Sequence, residues 1–234
     1  MLPTFFPAIE ALFSDLDGTL IHSEVPLHNA WMDVLARHGR DFSQFDYLRI
    51  IGLPEDEKIG LVLAFFGLEM DHAEFDHELQ QRMRERLPDE MELMPGALSF
   101  LEKCVRTGAP IGLITSASQW HAELALDKFD LRRFFDAKSI ITADTEGLEA
   151  RKPKPDPYLM GARRLGAKPF RCVVFEDSPH GVRAGLDAGM RVVAVPHALS
   201  PREKLVAIRG VWVLPEGKHI GDFTFDDIAH LLPG

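Results

Sequence analysis

What most restricts the fold of this chain is the placement of four short apolar runs. "ALFSD" (11–15), "IGLIT" (111–115), "CVVFE" (172–176) and "RVVAVP" (191–196) lack the alternation of a half-exposed strand. They sit among amphipathic stretches of helical length at 97–107, 119–128, 157–165 and 179–188. A continuous apolar run of strand length must be buried on both faces, so its sheet is covered by helices on both sides. Strands that alternate with helices are joined by crossovers and run parallel. "SIITA" (139–143) and "VWVLP" (211–215) are expected to widen the sheet, with a last helix near 224–232. The fold class is α/β.

Residues 22–92 break this rhythm. They contain no convincing strand and read as helices at 28–38, 43–51, 55–66 and 71–87, the last closed by Pro88. Apolar residues recur there at helical spacing, as in Ala30, Trp31, Val34 and Leu35. A helical block placed after the first strand predicts an inserted cap domain at 22–92 and a core built from 1–21 and 93–234. The chain leaves the core near "IHSE" (21–24) and returns near "ELMPG" (92–96), whose Pro-Gly suits a hinge.

Composition removes several classes. The 234 residues carry 26 Lys plus Arg against 36 Asp plus Glu, a formal charge of −10, which argues against a nucleic-acid phosphate binder. Cys104 and Cys172 are the two cysteines and lie far apart without metal spacing, as expected of buried thiols in a reducing compartment. The opening "MLPTFFPAIEALFSD" has no basic leader and carries Glu10 within its apolar stretch, so neither a signal peptide nor a membrane span is expected. The expectation is a cytoplasmic protein, a monomer, without nucleic-acid or membrane partners.

The chemistry is expected at strand ends. Asp15 and Asp17 close the first apolar run, and strand residues two apart face the same way. In open α/β sheets, ligands bind beyond the carboxyl ends of the strands. "DxDG" also occurs in calcium loops, but Leu20 and His22 stand where further oxygen donors would be needed. "LITSAS" ends a strand in Thr115 and Ser116, "RKPKPDPY" presents Lys152, and "VVFEDSPHGVRAG" ends a strand in Glu176 and Asp177, followed by Ser178, which suits a helix N-cap. Singly, each has a plain explanation as a helix cap or a solvated side chain. Together they form, in chain order, a cation site with donors for a phosphoryl group.

On these residues the chain resembles the haloacid dehalogenase-like hydrolases, in particular members with a helical cap inserted after the first strand. "DLDGTL", "KPKPDPY" and "EDSPHGVRAGLDAG" carry the resemblance, which spans essentially the whole chain and points to the sugar-phosphatase and β-phosphoglucomutase group. It implies a Rossmann-like parallel sheet core with its active site between core and cap. Asp15 is then the nucleophile that becomes an aspartyl phosphate, and Asp17 the group that protonates the leaving alkoxide and activates water. Thr115, Ser116 and Lys152 hold phosphoryl oxygens. Mg²⁺ is bound by Asp15, the Asp17 carbonyl and Asp177, with Glu176 as an outer or alternative ligand. The electrostatics agree: two carboxylates facing a phosphate dianion repel it until a hard divalent cation and Lys152 offset their charge.

The second acid separates phosphate chemistry from dehalogenation, which needs no proton on an alkoxide. The cap departs from its relatives. His22 replaces a frequent acid, and Leu27 stands where mutases carry a histidine, with His28 one residue later. Glu55 occupies the place of an arginine for a second phosphate. His28 and Glu55 are therefore the cap's candidate substrate residues, and Glu55 favours hydrolysis of a small phosphorylated metabolite over a phosphosugar mutase. A receiver-like phosphoacceptor uses similar residues but in another order and half the length. An inactive binding protein would be expected to lack a core residue, and none is missing. His72 and His77 are read as surface residues, and His121 and His180 as positions without a role.

Overall fold

The computed structural model describes residues 9–231 apart from 51, 52, 54 and 201, and the side chains of Glu55 and Asp56 also lie outside the described set. The chain divides into two compact units, Met1–His22 with Leu93–Gly234, and Ser23–Glu92.

The first unit is built on a six-stranded parallel sheet. Its strands are β1 (Ala11–Ser14), β4 (Ile111–Ile114), β5 (Ile140–Ile141), β6 (Cys172–Glu176), β7 (Arg191–Ala194) and β8 (Val211–Val213), in the order β5-β4-β1-β6-β7-β8. Every residue of β1, β4 and β6 is buried, as their unbroken apolar sequence requires. Register pairs Leu12 with Ile111 on one side and with Val173 on the other. The chain runs outward from β1 through β4 to β5, then returns to the far side of β1 as β6. The carboxyl ends of β1 and β6 therefore flank the point where the winding reverses.

The connecting helices include α5 (Ala97–Val105), α6 (Gln119–Lys128), α7 (Asp156–Leu165) and α8 (Pro179–Asp187). Phe13 on β1 meets Tyr158 of α7 edge to face, with ring centroids 6.3 Å apart. Phe100, Phe175, Phe223 and Phe225 form an aromatic cluster in the same unit. The segment expected as a last helix is a 3-10 helix, Phe225–Leu231. Its first turn holds Asp226 and Asp227, and Thr224 bonds the Asp227 carboxylate through both N–H and hydroxyl. That local turn competes with continuous α-helix.

The second unit is helical: α1 (Glu24–Arg37), α2 (Gln44–Ile50), α3 (Glu55–Phe66) and α4 (His72–Glu90). Helix α1 begins four residues before its expected start and takes in Pro26, which is tolerated because first-turn amides have no intrahelical acceptor. Helix α4 runs past Pro88 to Glu90, and the next turn still closes through Met91 N–H to Leu87 O. Trp31 is buried against Phe42 and Phe75, and Phe66 packs on Phe42, while Phe65 is exposed. A two-stranded ribbon of β2 (Ile21–His22) and β3 (Glu92–Leu93) lies where the chain passes from one unit to the other and back. No described helix is long and apolar enough to cross a membrane.

Candidate active site

Asp15 follows β1 directly, and its N–H donates to Phe175 O (2.9 Å), which ties the β1 end to β6. Gly18 turns the chain back with φ +79°, a conformation that favours glycine, and its N–H reaches Ile21 O at 2.8 Å. Glu176 ends β6 and Asp177 follows it, so both belong to the neighbouring strand end. Asp15, Glu176 and Asp177 are all buried, and each offers a carboxylate oxygen within 4.8 Å of the others'.

Lys152 joins this cluster from the loop before α7. Its Nζ donates to Asp15 Oδ1 (2.7 Å), Glu176 Oε1 (2.6 Å) and Ile114 O (2.7 Å). An ammonium has three protons, and these three acceptors use them all. The side chain is only 5% exposed, so the ion pairs are made without bulk water. Burial by itself lowers the Lys152 pKa, but Asp15 and Glu176 outweigh it and hold the group well above its ordinary range. Burial pushes the Asp15 carboxyl well up. Lys152 opposes that rise, and the negative charges of Glu176, Asp177 and Asp17 add to it.

Glu176 is held on both oxygens. Oε1 accepts from Lys152 and from Tyr158 OH (3.1 Å), and Oε2 accepts from the N–H (3.1 Å) and hydroxyl (3.0 Å) of Ser178. Ser178 is also the N-cap of α8, accepting from Gly181 N–H at 3.0 Å. The helix lies so close that a Cβ at Gly181 would overlap the Glu176 carboxylate. Glu176 thus anchors Lys152.

Asp17 is half-buried, and its Oδ1 lies 3.1 Å from His121 Nε2 at the start of α6. Asp177 Oδ2 lies 3.3 Å from His197 Nε2. Thr115 follows β4, is buried, bonds Ile141 O through its N–H (2.9 Å), and accepts from Ala117 N–H at its hydroxyl (3.0 Å). Ser116 beside it is exposed. The core residues expected from the sequence therefore stand at the ends of β1, β4 and β6 or reach that cluster from the following loops.

In the helical unit, His28 stacks against Tyr47 (5.1 Å between ring centroids) and Phe42 (5.9 Å), and burial lowers its pKa. The Glu55 side chain falls outside the described residues. His72 and His77 are exposed. His121, read as a position without a role, and His197 and Tyr158, not singled out, prove to touch the acidic cluster or its supports, while Ser178, expected as a helix N-cap after the acids, caps α8 and also bonds Glu176. His197 and Asp17–His121 are contacts across the fold with no motif to announce them.

The donor set is oxygen only, buried, and carries more negative than positive charge. That is the chemistry of a site for a hard divalent cation. A doubly wound parallel sheet with such a cluster at its winding reversal, and a helical insertion after the first strand, defines an α/β enzyme class whose reactions take place at strand ends. The chain belongs to the haloacid dehalogenase-like hydrolase family, whose profile matches residues 12–195. It is 34% identical over 193 residues to hexitol phosphatase B of Escherichia coli, covering 80% of this chain and 84% of that one. It is 30% identical over 184 residues to the fructose-1-phosphate phosphatase YqaB of the same organism, covering 79% and 95%. Its fold matches that of a β-phosphoglucomutase from Clostridium difficile with a TM-score of 0.77 at 24% identity, covering 96% and 97% of the two chains.

Proposed function

We propose that this protein is a Mg²⁺-dependent phosphatase that hydrolyses a small phosphate monoester, a sugar phosphate, through an aspartyl-phosphate on Asp15. The observation that carries the reading is the buried cluster of Asp15, Asp177, Glu176 and Lys152 at the sheet's winding reversal. The phosphatase names of two relatives at 30% identity or more support hydrolysis over the mutase alternative.

In this reading Asp15 Oδ2 attacks phosphorus while Oδ1 keeps its bond to Lys152. As the ester oxygen departs, Asp17 gives it a proton, and the same carboxylate then takes a proton from the water that opens the aspartyl phosphate. His121 Nε2 on α6 stands 3.1 Å from that carboxylate. Lys152, already fixed by Glu176 and Ile114 O, shares its Asp15-facing charge with a phosphoryl oxygen, and Thr115 and Ser116 offer further donors. Asp15, Asp177 and the Asp17 carbonyl would hold the magnesium, with Glu176 outside the ligand shell because Lys152, Tyr158 and Ser178 occupy its oxygens. Bound there, the ion supplies positive charge that keeps Asp15 ionised and offsets charge on the transferring group. The helical unit, with His28 and Glu55, is read as a cap that selects the ester and shields the site from water. The reading takes the cytoplasm as the compartment and the monomer as the acting form.

The test is phosphate release across sugar phosphates, nucleotides and small phosphorylated acids, with Mg²⁺ or with EDTA. Turnover of a sugar phosphate that stops on chelation is expected. Full-rate cleavage after exhaustive removal of divalent cations would overturn the reading, and isomerised rather than dephosphorylated product would replace it with the mutase.

A further inference from the structure

The loop after β7 holds Asp177 at two points. Ser200 Oγ donates to the Asp177 backbone O at 2.7 Å, and His197 Nε2 lies 3.3 Å from Asp177 Oδ2. The imidazole is itself oriented: Leu199 N–H donates to His197 Nδ1 at 3.3 Å. A ring nitrogen that accepts from an amide carries no proton, so in the neutral ring the proton is on Nε2, facing the carboxylate. The His197 side chain is 6% exposed, so water competes little for this contact.

Gly18 completes the arrangement. A Cβ there would lie 2.5 Å from Asp177 Oδ2 and 2.8 Å from His197 Nε2. The glycine that turns the chain after the first acids thus also leaves the space in which imidazole and carboxylate meet. The family match ends at residue 195, two positions before the histidine.

We propose that His197 is a positioning residue for the cation site: its Nε2–H fixes the plane of the Asp177 carboxylate, so that the ligand is aimed before the ion arrives. The proposal rests on the reading of Asp177 as a metal ligand. A carboxylate held at its backbone but not at its side chain can rotate about its last torsion, and ordering it lowers the cost of binding. Supports of this kind are worth about 10–100-fold in metal affinity.

The experiment titrates Mn²⁺ into the metal-stripped full chain and reads free Mn²⁺ by electron paramagnetic resonance, without turnover. His197→Ala is expected to weaken binding by about 10–100-fold. His197→Gln, whose amide can place an N–H where Nε2 stands, is expected to restore most of the loss. In turnover, His197→Ala should raise the Mg²⁺ concentration needed while kcat at saturating metal stays close to that of the parent. Circular dichroism confirms folding, and should His197→Ala not fold, His197→Leu, which keeps side-chain bulk but has no side-chain N–H, takes its place with the same loss expected. Asp177→Asn is the control. If Asp177→Asn loses Mn²⁺ and His197→Ala, or His197→Leu in its place, binds like the parent, the positioning role is wrong and the metal site stands. If Asp177→Asn also binds like the parent, the metal reading itself fails and the proposal with it.

Discussion

In the α/β unit four charged groups lie inside, Asp15, Lys152, Glu176 and Asp177, all buried and bonded to one another, to backbone or to an imidazole. In the helical unit no described Asp, Glu, Lys or Arg is buried, and the interior belongs to Trp31, Phe42, Tyr47 and Phe75. There the main clamp is Arg86 on α4, bidentate to Asp33 on α1 (2.7 and 2.9 Å) and paired with Glu90, whose other oxygen accepts from Asn29 (2.9 Å). A buried charge that loses its partner cannot turn to water, whereas a surface charge can. The first unit is therefore intolerant of small chemical changes at its polar positions, and the second is tolerant.

The largest contrast is expected at Asp15. Asp15→Asn keeps the shape and relieves repulsion among the acids, so thermal unfolding should be unchanged or higher. Phosphate release should fall by ~10⁴-fold or more, as for loss of a catalytic nucleophile. Retention of parental activity would remove Asp15 from the mechanism.

Lys152→Met tests the interior itself. It strands Asp15 and Glu176 as unpaired buried charges, and breaking such a pair costs roughly 3–5 kcal/mol in urea unfolding. Adding Glu176→Gln should recover part of that loss. Gly181→Ala should cost about 1–3 kcal/mol, because a methyl group must push the Glu176 carboxylate off its partners. It should also lower activity by displacing Lys152.

The helical unit should give the smallest effect. Arg86→Met is expected to cost less than about 1 kcal/mol, since Asp33 is about a third exposed and its pair is screened by solvent. Arg86 bonding holds the Asp33 carboxyl below its usual range. A depressed carboxyl contributes stability above its unfolded pKa of about 3.9 and loses it as pH falls through the folded value. Parent and variant should thus differ at pH 7 and converge as pH falls below the folded value. A gap that persists in acid would mean that Arg86 acts through packing.

The same division decides what could be read from the sequence. The strand ends were legible because a sheet covered on both faces needs unbroken apolar runs, and the acids at 15, 17, 176 and 177 stand at or just past their ends. Lys152 was legible through its resemblance-bearing loop, not through any spacing of charge. Tyr158 lay on an expected helix, but only the fold brings its hydroxyl to Glu176. His121 and His197 were not legible, because each meets its acid across the sheet ends, far along the chain. Helix limits shifted where local rules bend: Pro26 is harmless in a first turn, Pro88 costs only its own N–H, and Asp226–Asp227 favour a tighter turn.

The ribbon of Ile21–His22 with Glu92–Leu93 has a consequence for how such a chain can change. It brings the two ends of the insertion side by side, and Met94 N–H to Leu20 O (2.9 Å) fastens the base. Seen from the sheet, everything from Ser23 to Glu92 is one closed excursion. Lengthening or exchanging it alters no strand order and adds closure entropy that grows only with the logarithm of its length. Recombination at this single locus could supply a new recognition module while the reacting groups stay where they are.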